Sequence, residues 1–298
     1  SPAIALYSFS GDYGDVILID ENNSNILGGP VGIYGRTDGE GSISISVSGI
    51  VAGTEAGVLV TTGEGAGELE EAWEEDFAEP FILIGGEPTG DLYVSVQNAD
   101  GTAQAAGYFA GISGYQSGSG SLTIKAVNAT ANSGNGVNAE NTTGGGIEIS
   151  VINASGQNNG IFARNSYRED GPDHGGGFDL NFLTTPSEAA PNSITISASG
   201  DVTSSDGYGI YARNQTYGDV TIDATNEAGE ASVYGQDAGI YAQITGPGSV
   251  GVSTNDVSAY NGAAIRVRNG YRNYVSIGSA FTISSANSEP QFNGIPIS

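Results

Sequence analysis

The hexapeptide Gly209-Ile210-Tyr211-Ala212-Arg213-Asn214 recurs along the chain and decides its fold. Clear relatives are Gly160-Ile161-Phe162-Ala163-Arg164-Asn165, Gly239-Ile240-Tyr241-Ala242-Gln243 and Gly32-Ile33-Tyr34-Gly35-Arg36. With more degenerate copies included, repeats start at residues 3, 32, 57, 107, 136, 160, 209, 239, 264 and 294. Successive starts differ by 24–30 residues, except for two steps of 50 and 49. A fixed period of this length is typical of a solenoid, in which each repeat stacks on the next.

Two further segments follow each copy. In the first, apolar and polar residues alternate, as in residues 42–47 and 219–224, and the second is shorter, as in residues 256–259. Alternation with a period of two predicts half-buried β-strands. Three short strands per repeat predict an all-β fold, a single parallel β-helix domain over residues 1–298 with about nine coils of about 25 residues each.

The alternation also assigns faces within each copy. If the first Gly is position zero, positions +1 and +3 should point inward and positions +2 and +4 outward. Position +1 is Ile or Val in nine of the ten copies, with Tyr108 as the exception, and position +3 is Gly or Ala in six. These two rows predict a long, thin core that leaves no internal space for a ligand.

Outward position +2 carries a row of aromatic residues. Its members are Tyr34, Phe109, Phe162, Tyr211 and Tyr241. Such a row either stacks on sugars or on a partner, or stabilises adjacent coils through contacts between its own rings. Both interpretations stay open on sequence alone.

Outward position +4 carries four of the seven Arg residues. They are Arg36, Arg164, Arg213 and Arg268. The row predicts either a cationic stripe for an anionic glycan or pairing with carboxylates of neighbouring coils.

Position +5 carries Asn in four copies, at Asn141, Asn165, Asn214 and Asn269. Asn tolerates left-handed backbone and can form hydrogen bonds along a stack of identical residues. We therefore expect a ladder of Asn side chains at a turn.

Composition excludes several classes of function. Eight Lys and Arg residues against 34 Asp and Glu residues give a net charge of −26, which is incompatible with binding nucleic acid. The absence of Cys excludes disulfides, zinc fingers and thiol catalysis. No apolar run approaches the roughly 18 residues of a membrane-spanning helix.

Two insertions interrupt the repeats. The first, residues 62–89, is rich in Glu and carries Leu69, Trp73 and Phe77 at intervals of four, which predicts a short acidic amphipathic helix or loop. Its apolar stripe either covers the flank of the solenoid or contacts a partner. The second, residues 166–192, is a Gly- and Asp-rich loop in which Asp170, Asp173 and Asp179 are candidate Ca²⁺ ligands, the alternative being a solvated loop. No other cofactor is expected.

Catalytic residues are not recognisable. A Ser–His–Asp arrangement would have to use His174, the single His, which has no nucleophile motif near it. Glycan hydrolysis needs two carboxylates at a fixed separation on one face, and no such pair is evident. We therefore expect a protein that is not an enzyme, and a glycan-active lyase or hydrolase is kept as an alternative.

The Gly-Ile-Tyr-Ala-Arg-Asn copies, each followed by a segment such as Gly218-Asp219-Val220-Thr221-Ile222, resemble repeats of bacterial autotransporter passengers and, more widely, extracellular β-helix proteins. The resemblance implies a right-handed β-helix located outside the cell or on the bacterial outer surface, with an adhesive or structural role. Other copies of the chain, surface proteins or glycans are the implied partners. No translocator barrel is recognisable, so the anchoring stays open. Both ends of the chain fall at the same place in the repeat, which makes a filament of subunits stacked head to tail a further alternative.

Overall fold

A computed structural model of the protein describes residues 2–8, 15–37, 41–62, 90–142, 145–166, 192–269, 275–277 and 282–285. These residues form 25 β-strands and no helix. Most of both insertions lies outside the described residues. The predicted acidic helix with Leu69, Trp73 and Phe77 and the predicted Ca²⁺ ligands Asp170, Asp173 and Asp179 belong to that part of the chain.

One parallel sheet is formed by the repeated hexapeptides and has nine strands. In spatial order these are β1 (Ile4–Ser8), β4 (Val31–Thr37), β7 (Ala56–Thr62), β10 (Ala110–Gln116), β12 (Asn135–Asn141), β14 (Asn159–Asn165), β17 (Tyr208–Asn214), β20 (Ala238–Ile244) and β23 (Ile265–Asn269). We call this the repeat sheet. Each of its strands, with the strands that follow before the next one, is called a rung.

The remaining strands form a second, branched sheet of 16 strands. Its main path consists of β2 (Val16–Asp20), β5 (Ile43–Val47), β8 (Leu92–Val96), β11 (Leu122–Ala131), β13 (Ile147–Gly156), β15 (Ile194–Ala198), β18 (Val220–Ala224), β21 (Val250–Thr254) and β24 (Val275–Ile277). Its branches consist of β3 (Ile26–Leu27), β6 (Ile50–Ala52), β9 (Gln104–Gly107), β16 (Asp201–Ser204), β19 (Ser232–Gly235), β22 (Asp256–Ala259) and β25 (Thr282–Ser285).

Every pairing between described strands is parallel, and equivalent repeat positions pair with one another. Ile161 pairs with Ile210, and Ile210 pairs with Ile240. The predicted all-β class and the parallel, solenoid-like stacking of repeats are therefore confirmed.

The core runs along the stack as rows of like side chains. Ile and Val fill the +1 row, and the facing rows of the second sheet are also aliphatic, with Ile43, Leu92, Leu122, Ile147 and Ile194 all buried. Parallel sheets need burial of this kind, and removing apolar surface from water stabilises them by about 25 cal/mol per Å².

The register corrects one predicted repeat start. Ile112 pairs with Val58 on one side and with Val137 on the other, so Gly111 occupies position zero and Gly107 does not. With this correction the inward +1 position is Ile or Val in every described copy. The narrow core accommodates aliphatic side chains in this row, and the two aromatic residues after Gly107 lie in the exposed bend before β10.

The row of glycines at position zero is required by close approach between rungs. A Cβ built on Gly209 would lie 2.7 Å from the carbonyl oxygen of Gly239 and 2.6 Å from Cγ1 of Val233. Equivalent contacts to the next rung's carbonyl oxygen, at 2.6–2.8 Å, recur at Gly32, Gly57, Gly111, Gly136, Gly160 and Gly239. Real Cβ atoms do not approach a carbonyl oxygen so closely, so only Gly keeps this spacing between rungs.

Candidate functional site

The outer face of the repeat sheet carries the +2 row. Its members, in spatial order, are Ala5, Tyr34, Leu59, Ser113, Asn138, Phe162, Tyr211, Tyr241 and Arg266. Four of the five predicted aromatic residues are therefore in the row. Phe109 is not, because the repeat start on which it was placed is four residues too early.

Three of the aromatic rings are stacked on one another. Phe162 and Tyr211 have ring centroids 5.0 Å apart with planes 4° apart, and Tyr211 and Tyr241 have centroids 5.0 Å apart with planes 10° apart. Tyr208, from the outward position before the glycine, packs against both tyrosines at 5.4 and 5.3 Å. Both faces of the Tyr211 ring are therefore occupied by other rings, and Tyr208 and Tyr211 are both partly exposed.

The other half of the outer face is apolar and buried. Tyr34 and Leu59 form a cluster with Val31, Ala56 and Ala110, and the exposed fraction of Leu59 is only 1%. Tyr34 points outward as predicted, yet it is buried. Tyr34 thus belongs to a local apolar cluster on this face.

The +4 row contains the predicted Arg residues together with other side chains. In spatial order it consists of Tyr7, Arg36, Thr61, Tyr115, Glu140, Arg164, Arg213, Gln243 and Arg268. The Arg164 guanidinium donates a hydrogen bond of 2.5 Å to the Glu140 carboxylate on the neighbouring strand. Pairing with a carboxylate, one of the two predicted interpretations, therefore describes Arg164.

Three cations at the far end of this face lack such a partner. No carboxylate of the described residues is in ion-pair contact with Arg213, Arg266 or Arg268. Nε of Arg213 is buried without a hydrogen-bond acceptor. The sequence analysis missed Arg266, although counting positions in the degenerate copy Ile265-Arg266-Val267-Arg268 would have placed it in the +2 row.

Tyr208 lies on β17, the strand that also carries Arg213. Burial raises the pKa of its hydroxyl, and the nearby Asp237 carboxylate and Tyr241 raise that pKa further, whereas Arg266 opposes the shift. The electrostatic effects place Arg266 near the aromatic stack. Together Tyr208, Tyr211, Arg213, Arg266 and Arg268 define the Arg–Tyr patch.

The Asn row at +5 lies inside the molecule. Asn141, Asn165 and Asn214 are almost completely buried, and none has a left-handed backbone. Their amide groups donate to backbone carbonyls in bends of the same or the preceding rung. Asn165 Nδ2 donates to Asn192 O at 2.6 Å, Asn214 Nδ2 to the same oxygen at 2.7 Å, and Asn141 Nδ2 to Gly120 O at 3.1 Å. The expected left-handed backbone is therefore wrong for these three, because +5 continues the inward alternation, and the buried amides of Asn165 and Asn214 donate to backbone carbonyls. The side chain of Asn269 lies outside the described residues.

Hydrogen bonds between rungs form elsewhere on the surface. Asn159 Nδ2 donates to Asn135 Oδ1 at 2.8 Å, and Asn153 Nδ2 donates to Asn128 Oδ1 at 2.9 Å. The sequence analysis did not predict these pairs, because their residues lie outside the hexapeptide. Equivalent Asn positions 24 and 25 residues apart were the available signal.

Asp residues before the second-sheet strands also connect rungs. Asp219 Oδ1 accepts hydrogen bonds from the backbone N and Oγ of Ser249 at 2.7 and 2.8 Å, and Asp91 Oδ1 accepts from the same groups of Ser121. Part of the acidic composition therefore caps strand starts.

Within the described ranges there is no cluster of three or more His, Asp or Glu side chains that could hold a metal ion. Nor does any helix there have the length and apolar character needed to cross a bilayer. The described outer face carries aromatic rings, guanidinium groups, amides and the Glu140 carboxylate.

No protein-family model, curated protein or solved structure matches the chain. Function must therefore be argued from the geometry of this molecule.

Proposed function

We propose that the protein is a non-enzymatic structural or adhesive β-helix protein exposed at the bacterial surface. In this proposal the chain is a right-handed parallel β-helix of about nine coils, of the type found in autotransporter passengers. The nine strands of the repeat sheet support the coil number. The likeness of the hexapeptides to passenger repeats supports the location.

One observation carries the proposal: equivalent side chains form continuous rows on a single parallel sheet. Phe162, Tyr211 and Tyr241 repeat one chemical group at the spacing of neighbouring strands, about 4.8 Å. Such a face is rigid and repetitive. It suits multivalent contact with an extended partner or a load-bearing role.

Surface labelling of intact cells tests the location. Antibodies raised against the purified chain should label unpermeabilised cells that express the gene, and added protease should remove the label. Labelling that requires permeabilised cells would contradict the proposal. Turnover of acidic polysaccharides by the purified chain would instead favour the lyase or hydrolase alternative.

A second candidate function is a subunit of an extracellular filament. Ile17 and Ile19 on the outer face of β2 are 62% and 63% exposed, whereas the paired positions on β5 are Ser44 and Ser46. Among the described strands β2 pairs only with β5, and exposed apolar side chains on such an edge strand favour association with a second copy. Negative-stain images of a dilution series test this: rods that lengthen with concentration support the filament, and rods of one length at all concentrations exclude it.

A further inference from the structure

The Arg–Tyr patch is a concentration of positive charge on a strongly acidic chain. Arg213, Arg266 and Arg268 lie on strands β17 and β23, which are separated only by β20. Neighbouring strands are about 4.8 Å apart and successive residues about 3.3 Å apart, so these backbone positions lie within about 12 Å of one another. The net charge of the whole chain is −26.

Among the residues that the structure describes, no side chain neutralises these three cations. Arg164, two strands before β20, has the Glu140 carboxylate at 2.5 Å, whereas no described carboxylate is in ion-pair contact with Arg213, Arg266 or Arg268. Asp237 influences the Tyr208 hydroxyl electrostatically and is exposed beside the patch. Within the described ranges, the patch thus keeps guanidinium groups that have no carboxylate in ion-pair contact, although the chain as a whole is strongly acidic.

From this arrangement we infer that the Arg–Tyr patch binds an anionic polysaccharide, through the uronate carboxylates or sulfate groups of its sugars. Guanidinium groups donate two parallel hydrogen bonds to such oxyanions, and an extended polyanion can engage several of them at once. Charge complementarity therefore selects an anionic ligand over a neutral one. The inference rests on the proposed adhesive function and specifies its ligand class.

Neighbouring neutral groups favour a polysaccharide over an acidic polypeptide. Tyr208 and Tyr211 present hydroxyls beside the cations, and the Gln243 amide accepts a hydrogen bond of 2.9 Å from the Tyr241 hydroxyl within the same surface. Hydroxyl and amide groups both donate and accept hydrogen bonds, as sugar hydroxyls do. A flat sheet face also accommodates an extended chain without a groove.

Because the net charge is strongly negative, the affinity for a polyanion should depend on salt concentration in an unusual way. At about 0.01 M salt the Debye length is about 30 Å, so the acidic surface as a whole repels a polyanion. At about 0.15 M it is about 8 Å, so a bound chain responds mainly to the patch, and at about 1 M the patch is screened as well. We expect the affinity to pass through a maximum at intermediate salt.

The test measures binding of the purified chain to immobilised polygalacturonate and dextran sulfate, with neutral dextran and polyglutamate as comparison ligands. The triple variant R213Q/R266Q/R268Q should bind at least about tenfold more weakly. The single variant R268Q, at an exposed position, should show part of that loss. Its matched control is K125Q, which removes one positive charge from the second sheet, where Lys125 lies over the Tyr93 ring. Melting temperatures equal to that of the wild type confirm that the variants are folded.

Each outcome of this experiment either supports or overturns the inference. Binding to at least one anionic polysaccharide, weakened by R268Q and by the triple variant but unchanged in K125Q, supports the inference. It is overturned if the wild type binds neither anionic polysaccharide at any salt, binds neutral dextran equally, or binds polyglutamate as tightly. Equal weakening in K125Q and R268Q also overturns it, since overall charge would then explain the binding. Failure here with positive surface labelling overturns only the ligand class, whereas failure of surface labelling overturns the adhesive function itself.

Discussion

Phe162 and Tyr211 lie face to face on neighbouring strands, with centroids 5.0 Å apart and planes 4° apart. Tyr211 makes the same contact with Tyr241 on its other side. Tyr211 is therefore the central ring of the stack, and its contribution to stability can be measured separately from any contribution to binding.

Replacing the central ring should destabilise the fold. Y211A removes two stacked contacts, each worth about 0.5–1.5 kcal/mol beyond the area buried, so we expect the free energy of unfolding to fall by about 2 kcal/mol. Y211F keeps the ring and should change it by less than about 0.5 kcal/mol. Y260A is the control, because Tyr260 is 49% exposed in a bend. Urea denaturation measures the free energy of unfolding of all three variants. An equal loss in Y211A and Y260A would contradict a structural role for the stack.

The effect of a Gly→Ala substitution on stability should depend strongly on whether the glycine belongs to the position-zero row. G209A places a methyl group 2.7 Å from Gly239 O and 2.6 Å from Val233 Cγ1, so we expect a loss of about 1–3 kcal/mol. G251A is the matched control within a strand, since a Cβ there meets no atom within 4 Å. It should be neutral or slightly stabilising, because Ala restricts the unfolded chain. Thermal unfolding measures both, and similar melting temperatures would refute the proposed steric requirement.

Removing a buried Asn amide of the +5 row should lower stability, because backbone groups would lose their hydrogen-bond partners. Asn214 donates to the carbonyls of Asn192 and Gly218, and its Oδ1 accepts from Thr216 N and Oγ1 at 3.0 and 2.7 Å. N214A leaves these buried groups without partners, so a loss of about 2–3 kcal/mol is expected.

N261A removes an exposed amide in a bend and serves as the control, with an expected change below about 0.5 kcal/mol. Chemical denaturation compares the two variants. Equal stability would mean that the Asn214 hydrogen bonds are not needed to hold the bend.

The raised pKa of the Tyr208 hydroxyl should make the stability of the fold depend on pH in the alkaline range. Burial, then Asp237 and Tyr241, raise its pKa above the ordinary value of 10.0, and Tyr211 contributes in the same direction. The protonated form is favoured in the folded state, so the associated stability is complete below pH 10 and is lost as pH rises through the raised pKa. A titration of tyrosinate absorbance should show a late-ionising group that is missing in Y208F. In D237N that group should ionise earlier, and an unchanged profile in Y208F would contradict the assignment.

The regular part of the fold follows directly from the sequence. Ile161, Ile210 and Ile240 share one position in the repeat, and their register in the repeat sheet is the one that the repeat predicts. Alternation then places Tyr211 outward and Ala212 inward. These features depend on local periodicity, which a single sequence contains.

Features that depend on contacts between rungs were not predictable in the same way. Gly107 and Gly111 both stand near one repeat start, and only the pairing of Ile112 with Val58 and Val137 shows that Gly111 occupies position zero. Arg164 pairs with Glu140, whereas Arg213 has no ion-pair partner among the described residues, and this difference depends on which residue the neighbouring rung presents. Hydrogen bonding of the Asn row depends on bends whose lengths differ from rung to rung.

The close fit of the glycine row constrains the sheets and leaves the bends unconstrained. Val137 and its neighbour Ile161 are 24 residues apart along the chain, whereas Val58 and its neighbour Ile112 are 54 residues apart, yet both pairs occupy adjacent places in one row. Additional chain therefore leaves and rejoins at a bend without disturbing the register. A gene of this kind can lengthen its product by tandem duplication of one repeat, or acquire a new binding segment at a bend, while every ancestral rung keeps its neighbours and its stability.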